Sequence, residues 1–151
     1  MTDVCIIYHS QSGANTALAQ AAFNGVLQVN GAKVRVVRAC DINSKELLHT
    51  KAVILCFAEM NASIAGGMKE LLDRVYYPLL AHQKILPCAV CMSVGNDGSG
   101  ALRVFERIAT GLSLKPVCEP IVIHGLADVV QLQSVEELAQ GLTEGVLMGI
   151  Y

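Results

Sequence analysis

Ala52-Val53-Ile54-Leu55-Cys56-Phe57 is an apolar run with no polar break. Downstream, Met68, Leu71, Leu72 and Val75 recur at i, i+3, i+4 and i+7. The run is the pattern of a strand buried on both faces, and the recurrence is one face of a helix. Such a strand followed by such a helix is half of a parallel crossover, and the rest of the chain repeats the unit. Upstream, Val4 to Tyr8 is a short β-like run. Leu18, Ala22, Val26 and Val29 then place a helix over residues 15–30, capped by Gly31. Val34 to Val37 is a second strand whose charges mark an edge. Asn43 and Glu46 form a capping box for a short helix that runs to His49. Beyond the central unit, Pro87 opens a fourth strand, Cys88 to Met92. The next helix carries Leu102, Phe105, Ile108, Ala109 and Leu112. Val117 to Ile123 is a fifth strand, in which Pro120 marks an edge or an interruption. Ser134 and Glu137 form the capping box of a last helix bearing Leu138, Leu142 and Val146.

Strands and helices in strict alternation imply right-handed βαβ units and one parallel sheet covered on both faces. The expected architecture is α/β: a doubly wound, five-stranded parallel sheet of order 2-1-3-4-5, in a single domain spanning 1–151. The 151 residues are 53% hydrophobic and 16% charged, with a net charge of −2, which excludes intrinsic disorder. The balance also lacks the basic patch that nucleic acid or an anionic membrane surface requires. No apolar run reaches the roughly 18 residues of a membrane span. Met1-Thr2-Asp3-Val4 lacks the basic start of a signal peptide, so the expected location is the cytoplasm. In a reducing compartment the six cysteines read as small buried hydrophobes. Cys88 and Cys91, at i and i+3 of a strand, point to opposite faces and do not share one metal or redox site.

In a doubly wound sheet, ligands bind beyond the carboxyl ends of the strands. Three segments fall there. His9-Ser10-Gln11-Ser12-Gly13-Ala14-Asn15-Thr16 holds hydroxyls, amides and one glycine, with no acid and no Lys or Arg. N–H groups and hydroxyls at a helix start suit a phosphate held by neutral donors, although the same residues suit a plain N-cap turn. The segment lacks the Gly-x-x-x-x-Gly-Lys of an ATPase loop. Ala58 to Gly67 follows the third strand as a loop of small residues open to a flat ligand. In its plainer reading, Glu59 is a solvated carboxylate and Met60 and Ile64 fill the core or a subunit contact. Ser93-Val94-Gly95-Asn96-Asp97-Gly98-Ser99-Gly100 bends closely around something, or is a turn in which Asp97 or Ser99 caps the next helix. Of the histidines, His9 stands beside the first loop; His49, His82 and His124 lie at separate element ends without metal-ligand spacing.

At these three loops the chain resembles the flavodoxin-like flavoproteins, above all the small NAD(P)H and quinone reductases that use flavin mononucleotide (FMN). Ile6 to Gly13 resembles their first strand and phosphate loop, and Gly66 to Arg74 the start of their third helix. Ser93 to Gly100 followed by Glu106-Arg107-Ile108 resembles a subgroup's third flavin loop and fourth helix. The likeness runs in order over the whole chain. It implies a flavodoxin-like fold with FMN as cofactor, NAD(P)H as hydride donor and a quinone-like or other small acceptor. It places Ser10, Ser12, Asn15 and Thr16 on the phosphate, with Gln11, Gly13 and Ala14 completing that loop. It places Phe57, Ala58, Glu59, Met60 and Asn61 on one side of the flavin ring, and Ser93, Gly95, Asn96, Asp97 and Gly98 on the other. Two departures stand out. The first loop has Gly13-Ala14-Asn15-Thr16 where many members have Gly-Asn-Thr. The second lacks the family's Gly and Pro and any nearby Tyr or Trp, leaving Met60 or Phe57 to pack on the ring. Two other readings compete: a flavin-free interaction or regulatory module, supported by the altered second loop, and an electron-carrier flavodoxin, opposed by the weak net charge. Met60, Ile64, Tyr76, Tyr77 and Leu80 are the candidates for a homo-oligomeric contact.

Overall fold

The computed structural model describes residues 1–151. The chain runs β1 (Thr2–Tyr8), α1 (Ala14–Leu27), β2 (Val34–Arg38), a 3₁₀ turn (Ala39–Asp41), α2 (Ser44–Leu48), β3 (Thr50–Met60) and β4 (Ser63–Ile64). It continues through α3 (Gly66–His82), β5 (Leu86–Val94), α4 (Ser99–Leu112), β6 (Leu114–Pro116), β7 (Ile121–His124) and α5 (Val129–Leu147).

Parallel pairing runs β2-β1-β3-β5, and the far edge of β5 is shared by two short strands. β6 pairs with its first residues, Leu86↔Leu114 to Cys88↔Pro116, and β7 with its last, Cys91↔Ile121 to Val94↔His124. Counted among parallel strands the order is 2-1-3-4-5, as the alternation predicts, with the fifth strand in two pieces. Pro120 lies in the break, where a residue without an N–H cannot continue a ladder. β2 pairs on one side only, which makes it the edge its charges suggested.

Period-two alternation divides each buried strand between two cores. Cys5, Ile7, Val53, Leu55, Phe57, Cys88, Val90 and Met92 pack under α3 and α4. Val4, Ile6, Ala52, Ile54, Cys56, Ala89 and Cys91 pack under α1 and α5. Cys88 and Cys91 therefore do face opposite sides. Four of the six cysteines, Cys5, Cys56, Cys88 and Cys91, are buried; Cys40 and Cys118 are exposed, so the hydrophobe reading fails for those two. Burial pushes the Cys5 and Cys88 thiols up to about 12. A hydrogen bond with Cys91, together with burial, raises Cys56 further from ionisation. These four are packing groups.

Several boundaries differ from the sequence reading. The strand read over 117–123 is replaced by β6 and β7, which leave 117–120 outside any strand. α1 ends at Leu27 with Gln28 as its C-cap, and Gly31, at φ +78°, belongs to the turn beyond. α5 starts earlier than Ser134: its capping box is Asp128 with Gln131, while the Ser134 hydroxyl donates to the Val130 carbonyl within the helix. The first turn of α5 carries exposed Val129 and Val130, so no apolar periodicity announced it. The segment after Phe57 is not a loop. β3 continues to Met60 and folds back on β4 with Glu59↔Ile64 and Met60↔Ser63. Asn61 and Ala62, at φ 50° and 58°, form the two-residue turn with both central residues left-handed. Ile64 is thereby buried and joins the core.

α1 and α5 approach so closely that a Cβ built on Gly25 would lie 2.1 Å from the Glu136 carbonyl oxygen. Backbone cannot yield there as a flexible side chain could. Gly25→Ala is expected to lower unfolding stability by about 1–3 kcal/mol, the range for overpacking. Urea denaturation of the two proteins checks this; equal midpoints would show that the helix pair slides apart freely.

Candidate functional site

β1, β3 and β5 end side by side, at registers Tyr8↔Cys56 and Ala58↔Ser93. The chain leaves β1 for α1 on one face and leaves β3 for α3 on the other. That reversal is the switch point at which open α/β sheets form a crevice.

In the first loop Gly13 is the N-cap of α1 at φ +96°, a conformation costly for any residue with a Cβ. Its N–H donates to Ser10 Oγ at 3.1 Å, which shapes the loop from within. Ser10 is half-buried, and Gln11, Ser12 and Thr16 are exposed. The leading N–H groups of α1 have no intrahelical acceptor, and its first turn carries no acid. Unused donors, exposed hydroxyls and the positive end of a fourteen-residue helix suit a phosphate.

Ala14 and Asn15 turn inward and are buried. The Asn15 amide orientation that satisfies all its neighbours has Nδ2 donating to the Phe57 carbonyl at 3.0 Å. Its Oδ1 then accepts from the Ala58 N–H at 3.2 Å and from the Ser93 hydroxyl at 2.8 Å. Asn15 thus joins the start of α1 to the ends of β3 and β5.

The Phe57 side chain is fully buried and packs on Phe105, with ring centroids 6.1 Å apart. It is core, so its ring is not a face for a ligand; only its carbonyl points toward the site, and Asn15 occupies it. Glu59 is buried as well, not solvated, and its Oε2 accepts from the Asn96 N–H at 3.2 Å. This contact ties the β3–β4 hairpin to the third loop. Met60 is 46% exposed, and Asn61 is exposed at the hairpin tip. The hairpin leans on α4: a Cβ on Gly100 would lie 2.2 Å from the Ala62 carbonyl oxygen.

In the third loop Gly95, Asn96 and Asp97 are exposed, whereas Gly98 turns down onto Met92 and Val94. Asp97 Oδ1 accepts from the Ser99 N–H at 3.0 Å and from its hydroxyl at 2.9 Å. The N-cap of α4 is Gly98, so neither capping candidate holds that position; Asp97 stands one residue before it and accepts from the first helical residue.

Two further residues complete this end. The His9 ring lies over the start of α3, where a Cβ on Gly67 would fall 2.2 Å from Nδ1. The Gly125 N–H donates to the Val94 carbonyl at 3.2 Å, which brings the β7–α5 loop, with exposed Leu126, beside the third loop. This fourth segment escaped the sequence reading because a single strand over residues 117–123 hid the turn at Gly125; Asp128 and Gln131 were the signal available.

No family model matches the chain, and no curated protein matches it. Solved structures do. An archaeal flavodoxin superposes with a TM-score of 0.85 at 19% identity, over 97% of this chain and 99% of that one. The rubredoxin:oxygen oxidoreductase of Desulfovibrio gigas gives 0.83 at 14% identity, over 99% of this chain and 37% of its own. The flavodiiron protein of Giardia intestinalis gives 0.82 at 15%, over 98% and 37%. The chain thus spans a whole flavodoxin but only a little over a third of those two larger proteins. It has the flavodoxin-like fold. No helix is long and apolar enough to cross a membrane.

The Ser99 N–H, and then its hydroxyl, hold the Asp97 carboxyl below the ordinary carboxylate range. A lowered folded-state value means that the contact is intact at neutral pH and is lost as pH falls through it. Asp97 should titrate below an aspartate in an unfolded peptide, and the Ser99 amide shift should move with the same midpoint as its hydrogen bond is lost. A carboxyl-carbon NMR titration checks the first and an amide proton–nitrogen titration the second, with Asp97→Asn removing the pH dependence of the Ser99 shift.

Proposed function

We propose that the chain is an FMN-dependent oxidoreductase that takes hydride from NAD(P)H and reduces a quinone-like or other small acceptor. The observation that carries this is the first loop: a left-handed glycine N-cap, hydroxyls and open N–H groups at the β1–β3 switch point. The residues fit FMN at its phosphate end. Ser10, Ser12 and Thr16, with the N–H groups of Ala14 to Thr16, would hold the phosphate. At the ring end Met60 and Asn61 would lie on one side, and the backbone of Gly95, Asn96 and Asp97 on the other.

Bound there, FMN supplies two-electron hydride exchange. The chain supplies position and surroundings. Gly13 sets the direction of α1, so that its dipole bears on the phosphate. Glu59 fixes the third loop against the hairpin and brings a carboxylate to the ring end. Met60 and Leu126 give the rim an apolar surface against which an acceptor of low polarity would lose water. Exposed Tyr77 and Leu80 on α3 are the residues we assign to self-association.

One observation favours the flavin-free module instead. The hairpin offers no exposed aromatic ring, and Glu59 already bridges to Asn96 across the ring end.

Titration of the protein with FMN, followed by flavin fluorescence and visible absorption, separates the two readings. Saturable binding at micromolar concentration or below is expected. Thr16→Val should weaken it about tenfold or more, the loss of one hydrogen bond to a charged group. No binding at about 1 mM, weaker than about −4 kcal/mol, would remove the flavoenzyme reading. An NAD(P)H oxidation assay with a quinone then tests turnover.

A further inference from the structure

We propose that Asn15 is a positioning residue through which an anion at the start of α1 tightens the segments around Ala58 and Asn96. This rests on the phosphate reading of the first loop given above.

Asn15 belongs to the first turn of α1, yet its carboxamide is engaged by the ends of β3 and β5, through the Phe57 carbonyl, the Ala58 N–H and the Ser93 hydroxyl. Beside Ala58, Glu59 accepts from the Asn96 N–H. Two residues of chain, Gly95 and Val94, then return from Asn96 to Ser93. The links close a circuit: Asn15 to Ala58, Ala58 to Glu59, Glu59 to Asn96, Asn96 back to Ser93, and Ser93 to Asn15. All three side chains that close it, Asn15, Glu59 and Ser93, are buried. The bonds of Asn15 lie away from water, where such bonds are stronger and leaving one unmade costs more, while the Glu59 link to exposed Asn96 is part-buried. A phosphate on the leading N–H groups of α1 restrains the turn that carries Asn15. Restraint there reduces the freedom of the strand ends, and the circuit passes it to Asn96. Asn15 acts on the ligand through these segments, not as a ligand to the phosphate.

The test is amide hydrogen exchange on the full chain, with inorganic phosphate compared against chloride at matched ionic strength. The reporter is the Asn96 amide, which Asn15 does not touch. Phosphate should slow its exchange about fivefold, the lower end of ordinary coupling factors. In Asn15→Ser, phosphate should still protect residues 10–17 but no longer Asn96. Ser93→Ala, which leaves the Asn15 bonds to β3 in place, should reduce the effect on Asn96 and serves if the first variant does not fold. In the unaltered chain, protection confined to the first loop or no protection anywhere overturns the proposal, as does undiminished protection of Asn96 in both variants. Failure of the FMN titration with remote protection intact would instead remove the flavin reading and leave this one standing.

Discussion

A primary amide buried at the end of a parallel sheet must find donors and acceptors among strand termini, because water does not reach it. Asn15 meets that demand with three partners on two strands. The organisation of the site follows. The start of α1, the end of β3 and the end of β5 are held in one relative position, and the loops beyond them inherit it. Glu59 extends the arrangement by a second, part-buried contact, to Asn96. The carboxyl end of the sheet is therefore braced from beneath, while its exposed hydroxyls, N–H groups and glycines stay open to a ligand.

Close backbone approach is the second constraint. Gly25 lets α1 and α5 meet at backbone distance, and Gly100 does the same for α4 and the β3–β4 hairpin. Both contacts lie where a methyl group would meet a carbonyl oxygen. The hairpin needs this support, because its tip places Ala62 in the left-handed region without the freedom of glycine. Packing against α4 and burial of Ile64 offset that local cost. A braced hairpin stands here where the sequence reading expected a loop.

The parallel sheet and its two-sided core were legible because unbroken apolar strands alternating with amphipathic helices have few packing solutions, and the order 2-1-3-4-5 came with the flavodoxin-like type that they suit. Pro120 announced the break in the fifth strand for a local reason, its missing N–H. The polar turn that opens α1 was legible as well, since Gly13 acts through its own backbone, but Asn15, read as facing a phosphate, turns inward to β3 and β5. Other features were not. Phe57 was assigned to a ligand because the second loop holds no Tyr or Trp, but side-chain parity turns it onto Phe105. Glu59 looked solvated because nothing local showed that the strand would continue and fold back. The true start of α5 was hidden by exposed Val129 and Val130, which carry no periodicity.

The sequence by itself therefore determined the sheet, its covering helices and the polar turn after β1, because periodicity, capping and turn chemistry act over a few residues. Tertiary structure decided what the residues of the three loops do. Asn15 and Ser93 stand far apart in the chain and meet only once β1, β3 and β5 are in register. Glu59 finds Asn96 only after the hairpin has closed. Contacts of that kind have no local signature, since their energy depends on the distance and burial that the assembled sheet imposes.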